Sequence, residues 1–88
     1  MKIKDNVDLK DKPVVVEWWD SNYESGWQDI VDYSPIVTKV TSWGVVTSEN
    51  EDAIALSHNL IDRPEENYKH ANGIMIIPKC CIKSVTSF

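Results

Sequence analysis

The stretch from Gly73 to Phe88 constrains this chain more than any other. Ile74-Met75-Ile76-Ile77 reads as an apolar strand that runs into Pro78. Proline has no N–H to give a sheet ladder, so the strand must stop or bend there. Lys79-Cys80-Cys81 suits a single helical turn, and Ile82 to Ser87 reads as a second short strand. The backbone therefore turns a corner between two strands with almost no chain to do it in.

The remaining segments read as further strands joined by polar connections. Val14-Val15-Val16-Glu17-Trp18-Trp19 is rich in β-branched and aromatic residues and begins after Pro13, where proline is tolerated. Its alternation sets Val14, Val16 and Trp18 inward and Val15, Glu17 and Trp19 outward. Residues 20–35 read as a long loop, with Ser25-Gly26 at a turn and Ser34-Pro35 at its end. Loops of that length are usually functional or flexible. Residues 36–48 read as a long strand with Ile36, Val37, Val40, Val45 and Val46 as its apolar positions, bent or bulged near Trp43-Gly44. Ser48 to Asp52 is a hairpin turn, Ala53 to His58 a strand, and Asn59 to Asn72 a second polar loop. Five short strands, no amphipathic helix and no internal repeat predict an all-β domain over residues 13–88, preceded by a polar leader over 1–12 with Val7 and Leu9 as its apolar anchors.

Composition narrows the function. The 88 residues make one domain with a thin core, a size at which oligomerisation often adds stability, so a homo-oligomer is expected. The formal charge is −5 and Arg63 is the only arginine, a balance that argues against nucleic acid as a partner. Cys80 and Cys81 are adjacent, which strains a disulfide, and metal sites need more ligands at wider spacing. They read as reduced thiols, one of them tucked inward at the corner, as in a cytoplasmic protein. The sequence has no apolar signal region and no membrane-length apolar run, so no membrane partner is expected. No catalytic motif and no glycine-rich phosphate loop occurs, and neither enzymatic activity nor a cofactor is expected.

The spacing Ile77-Pro78-x-x-x-Ile82 before a final strand, with a long first loop and a tight turn at 48–52, resembles the SH3-like (Sm-like) family. The resemblance implies a five-stranded SH3-like small β-barrel. The aromatic residue that lines the peptide groove of SH3 domains after this proline is replaced here by Lys79-Cys80-Cys81, whereas the acidic first loop does match. The runs Val16 to Asp20, Gly26 to Asp29, Val40 to Gly44 and Ile76 to Lys79 also resemble small barrel proteins encoded by phages and prophages. That second resemblance implies, as one option, a counter-defence protein that sequesters a nucleotide-derived signal in the host cytoplasm.

The candidate ligand-binding residues follow from exposure and chemistry. Trp18 and Trp43 are expected to fill the core, while Trp19 and Trp27 are harder to bury and suit stacking or partner anchoring. With Tyr23 and the loop carboxylates Asp20, Glu24, Asp29 and Asp32, they make residues 20–35 the main candidate. His58 and Asn59 sit where a strand enters a loop, and Arg63, in the second loop, is the best placed cation for a phosphate, with Lys39, Lys69 and Lys79 as others. The expected site is Trp19, Asp20, Tyr23, Trp27, Asp29, His58, Asn59 and Arg63. Two functions fit it: capture of a small nucleotide-like ligand, or docking of a host protein or virion component on the acidic aromatic loop.

Overall fold

The computed structural model describes residues 9–88 as one antiparallel sheet of five strands. The strands are β1 (Pro13–Asp20), β2 (Thr38–Glu49), β3 (Ala53–Arg63), β4 (Tyr68–Pro78) and β5 (Ile82–Ser87). Their spatial order is β4-β3-β2-β1-β5, so β4 and β5 are the two edges. These two edges are consecutive in sequence, joined by the single 3₁₀ turn Lys79–Cys81. Three residues of 3₁₀ helix advance only about 6 Å. The sheet must therefore curl until its opposite edges approach each other at this end.

The concave side of the curl holds the core. Val14 and Val16 of β1, Val46 of β2, Ile54 and Leu56 of β3, Ile77 of β4 and Ile82 of β5 are all buried, with Trp18 and Val85 packed against them. The β1 alternation is as the sequence predicts, since Val14, Val16 and Trp18 face inward. Leu9, the leader's described anchor, joins the core, and the Asp11 N–H and Lys12 carbonyl bond across to Val46. Val7 lies outside the described residues. Across the concave rim, the Trp18 Nε1–H donates to Ser42 Oγ at 3.0 Å, and the Ser42 hydroxyl donates to Met75 Sδ at 3.6 Å. This chain ties β1, β2 and β4 together without β3 between them, a direct consequence of the curvature.

The curl stops short of closure. A closed five-stranded barrel is the sequence expectation, and the structure corrects it to an open sheet. Among the described residues β4 pairs only with β3, and β5 only with β1. The reason lies at the corner. Pro78 has no N–H to offer β5, and the next donor, the Lys79 N–H, is taken by the Asp52 carbonyl at 2.8 Å.

A second correction concerns residues 59–72, which the sequence presents as a polar loop. They are the outer part of a long hairpin. β3 pairs with β4 continuously from Ala53↔Pro78 to Arg63↔Tyr68, apart from an irregularity at Gly73, whereas β2 leaves β3 at Ser57. The hairpin therefore projects past the core as a two-stranded arm about 20 Å long. The turn at its tip suits its residues. Pro64 opens a 3₁₀ turn, where its missing N–H costs nothing, and Asn67 closes it in the left-handed region at φ 49°. Cross-strand pairs support the arm, with Asp62 opposite Lys69 and Arg63 opposite Tyr68. Asp11 adds an ion pair to Lys69 at the arm's flank. The radius of gyration is 16.7 Å, against about 12 Å for a compact domain of this length, so the fold is elongated.

Smaller differences follow from local chemistry. Ile36 and Val37 precede β2 and are exposed, not strand positions. Trp43 lies opposite Val15 on the convex face and is exposed rather than in the core. The irregularity in β2 falls between Val46 and Ser48, not at Gly44, and the bulged Thr47 donates its hydroxyl to the Ala55 carbonyl. Gly44 has a different task. A Cβ there would meet the Ser57 carbonyl oxygen at 2.9 Å and Leu56 Cβ at 3.1 Å, so glycine lets β3 press onto β2 at Leu56 and Ser57. At the corner, Cys80 is exposed and Cys81 half-buried, both as free thiols.

Two substitutions at this crossing are expected to act in opposite directions. Gly44→Ala forces backbone apart and lowers stability by about 1–3 kcal/mol. That corresponds to roughly 4–8 °C of melting temperature per kcal/mol in a domain of this size. Ser57 Oγ is buried with no hydrogen-bond partner among the described residues, so Ser57→Ala is neutral or stabilising, by up to about 1 kcal/mol. Thermal and urea unfolding of the two variants reads both signs.

Candidate functional site

The residues expected to form one site lie in two regions. Trp19, Asp20, Tyr23, Trp27 and Asp29 belong to the end of β1 and the loop at residues 21–37, while His58, Asn59 and Arg63 belong to the arm. No hydrogen bond, ion pair or ring contact joins the two groups among the described residues. The structure thus places the expected site residues on two different parts of the chain.

The loop is apolar where a solvated connection would be polar. Tyr23 is 92% exposed, Trp27 fully exposed, and Ile30, Val31 and Ile36 more than three-quarters exposed. Polar side chains hold the loop in shape. Asn22 bridges its base, donating to the Ile36 carbonyl and accepting the Thr38 hydroxyl at 2.7 Å. The Asp20 carboxylate accepts the Ser21 N–H, and Asp29 accepts the Val31 N–H in an Asx-type turn. Gly26 turns the chain at φ 86°, which glycine adopts without strain. The Glu24 carboxylate, hydrogen-bonded to Tyr33, raises the pKa of that phenol, with desolvation adding to the shift. Between these groups lies an open groove of about 370 Å³, lined by Asn22, Glu24, Gln28, Ile30, Tyr33 and Ile36 among others. Four carboxylates and no lysine or arginine fall between Asp20 and Thr38, so the groove's surroundings are acidic.

Trp19 stands apart from the loop's apolar display. The Lys83 ammonium lies over its ring at 5.7 Å, and the residue is only moderately exposed. Beside it on the convex face, Glu17 pairs with Lys39 at 3.2 Å and accepts the Ser84 hydroxyl at 3.2 Å.

The arm carries a different surface. Tyr68 and His70 stack with ring centroids 4.1 Å apart and planes 3° from parallel, and the Arg63 guanidinium sits 5.3 Å from the Tyr68 ring centre. Beside this platform is a shallow cavity of about 270 Å³ lined by Asn59, Ile61, Tyr68, His70, Ala71 and Asn72. His58 and Asn59 flank Gly73, which takes a φ of 74° within β4 while the β3–β4 register stays the same on either side of it. Tyr68 and His70 complete a cluster with Arg63 that sequence reasoning misses. Their spacing of two, with Arg63 before the turn, becomes informative only once 59–72 is read as a hairpin.

The candidate phosphate ligands are each committed elsewhere. Lys39 pairs with Glu17, Lys69 with Asp11, Lys79 with Glu49 at 3.0 Å and Arg63 with Glu66 at 3.5 Å. A phosphate would have to displace a carboxylate at every one. Among the described residues no cluster of three or more His, Cys, Asp or Glu side chains forms a metal site. The Cys80 and Cys81 sulfurs lie 3.8 Å apart, and that contact, followed by desolvation, raises the pKa of the Cys81 thiol, which disfavours a reactive thiolate.

The Glu17 cluster gives a pH test of the convex face. Its Lys39 and Ser84 hydrogen bonds hold the Glu17 carboxyl below its ordinary value of 4.5. A carboxylate with a lowered folded pKa contributes stability above the unfolded value and loses it as pH falls through the folded one. Glu17→Gln is expected to melt below wild type at pH 7, with the gap narrowing as pH falls below 4.5. Thermal melts across that range measure it.

Comparison of the chain with family models, with curated proteins and with solved structures finds no match to any of them.

Proposed function

We propose that this chain is a non-catalytic protein-interaction module that docks a basic partner segment on the loop at residues 21–37. The observation that carries this reading is the shape-held display of Tyr23, Trp27, Ile30, Val31 and Ile36 in an acidic surround. Large exposed apolar side chains at one place are the usual anchors of an interface, and aromatic anchors dominate its energy. The four carboxylates would steer a positively charged partner and fix its register. The strand order and the one-turn corner at Lys79–Cys81 support reading the scaffold as an SH3-like barrel left open at one seam. The phage-type sequence resemblance favours a host protein as the partner.

The test is retrieval of a partner from cell lysate by the tagged protein. Trp27→Ala and Tyr23→Ala are each expected to weaken the complex at least tenfold, the effect of losing an interface anchor. Raising the salt concentration weakens it further if the acidic surround steers a basic segment. A complex unaffected by both loop substitutions overturns the reading.

A second reading, a nucleotide-like ligand, is favoured by one observation, the Tyr68–His70 platform with Arg63 and the flanking Asn59 and Asn72. An aromatic face of this kind stacks a base, typically for about 1–3 kcal/mol. Calorimetric titration with mono- and dinucleotides tests it. Binding lost in Tyr68→Ala supports the platform, and no heat with any nucleotide removes it.

A further inference from the structure

We infer that two copies of this chain associate through the outer edge of β4, antiparallel about a two-fold axis at Asn72, so that two arms form one four-stranded sheet. This goes beyond the loop-docking reading and uses a different surface.

The two edges of the sheet differ sharply in how they are protected. β5 is six residues long, carries Lys83 and faces a register shift at Glu17/Trp18. Short length, an edge lysine and a bulge are the ordinary devices that stop strands from pairing edge to edge. β4 is eleven residues long, and its outer edge has no strand neighbour among the described residues. It contains no acidic residue, although the chain has fourteen. Its one lysine, Lys69, is already paired with Asp11, and its one proline is the final residue. Two such edges meet without like-charge repulsion in an otherwise acidic protein.

The pattern of side chains selects the register. Tyr68, His70, Asn72, Ile74 and Ile76 alternate onto one face of β4, where Ile74 and Ile76 are 54% and 70% exposed. With Asn72 opposite its own copy, Ile74 lies beside the partner's His70 and Ile76 beside the partner's Tyr68. Aromatic–aliphatic neighbours of this kind stabilise antiparallel pairs. On the other face Gly73 lies beside the partner's Ala71, so the irregular backbone at Gly73 meets the smallest side chain available. Slipping the pairing by one residue would put these isoleucines on the opposite face from the partner's rings.

The geometry also sets the strength. A two-stranded ribbon standing outside a core is marginal by itself, and pairing two of them supplies the third and fourth strands. The contact covers residues 68–76 of each copy, roughly 31 Å long and 10 Å deep at ordinary strand and sheet spacings. That buries on the order of 600 Å² in total, below the ~1,200 Å² of a stable complex. The dimer is therefore weak, with dissociation in the micromolar range or above, and forms as concentration rises.

Two measurements test it. Sedimentation between about 1 and 500 µM, the range a contact of this size implies, is expected to show wild type passing from monomer to dimer. Ile74→Lys/Ile76→Lys should stay monomeric throughout while melting like wild type in dilute solution, since both side chains are exposed in the monomer. In a Cys80→Ser/Cys81→Ser background, Asn72→Cys should form a covalent dimer under mild oxidation, and Ile61→Cys, one strand further in, should not. Wild type that remains monomeric at every concentration overturns the inference. So does a dimer that survives the double lysine substitution, or one in which Asn72→Cys cross-links no better than Ile61→Cys. Trp27→Ala leaves sedimentation unchanged, which keeps this result separate from the loop reading.

Discussion

The three-residue turn at Lys79–Cys81 is the constraint on which the rest of the structure depends. It hands the chain from one edge of a five-stranded sheet to the other, a step that a flat sheet would need a long connection to make. Curling the sheet is the alternative, and the curl creates the concave side on which Ile54, Leu56 and Ile77 meet Val14, Val16 and Ile82. Glycine at position 44 and the bulge at Thr47 are the local adjustments that let β2 follow the bend. The same corner explains why the curl does not become a closed barrel. Its first backbone donor is absent at Pro78, and the next is used by Asp52. One short segment thus sets both the curvature and its limit.

Two segments extend from this scaffold. The loop at 21–37 connects β1 to β2, and the arm is the part of the β3–β4 hairpin beyond Ser57. Each is shaped by polar side chains rather than by burial, the loop by Asn22, Asp20 and Asp29, the arm by Asp62, Lys69 and Arg63. Their apolar side chains are consequently free of structural duty. Against only eight buried core hydrophobics among the described residues, the exposed Tyr23, Trp27, Ile30 and Val31 of the loop and Ile61 of the arm are a large apolar display.

Much of the fold was legible in residue patterns, and the misreadings have physical causes. The strand at 14–19 declared itself by β-branched residues and alternation, and the corner by Pro78. The arm did not, because both its faces are solvated and the inward–outward contrast that marks a half-buried strand is missing from Asn59 to Asn72. Trp43 was misplaced because size alone suggests burial, whereas its pairing with Val15 fixes it on the convex face. The aromatic loop stood out in the sequence, since apolar residues among turn formers have no core to explain them. The arm cluster of Arg63, Tyr68 and His70 stayed hidden, since its members come together only through a hairpin register that no short motif encodes.

The arm has one more consequence. β3 and β4 each run through two environments, a lower half gripped by β2 and the core and an upper half with only each other. Amide protons along one continuous strand should then exchange with solvent on two clocks, slowly from Ala53 to Ser57 and quickly from His58 to Arg63. The chain is built so that its tip can open and re-form while its base stays folded. A segment held only by its own hairpin is thereby joined, through unbroken backbone, to a base held by the whole sheet.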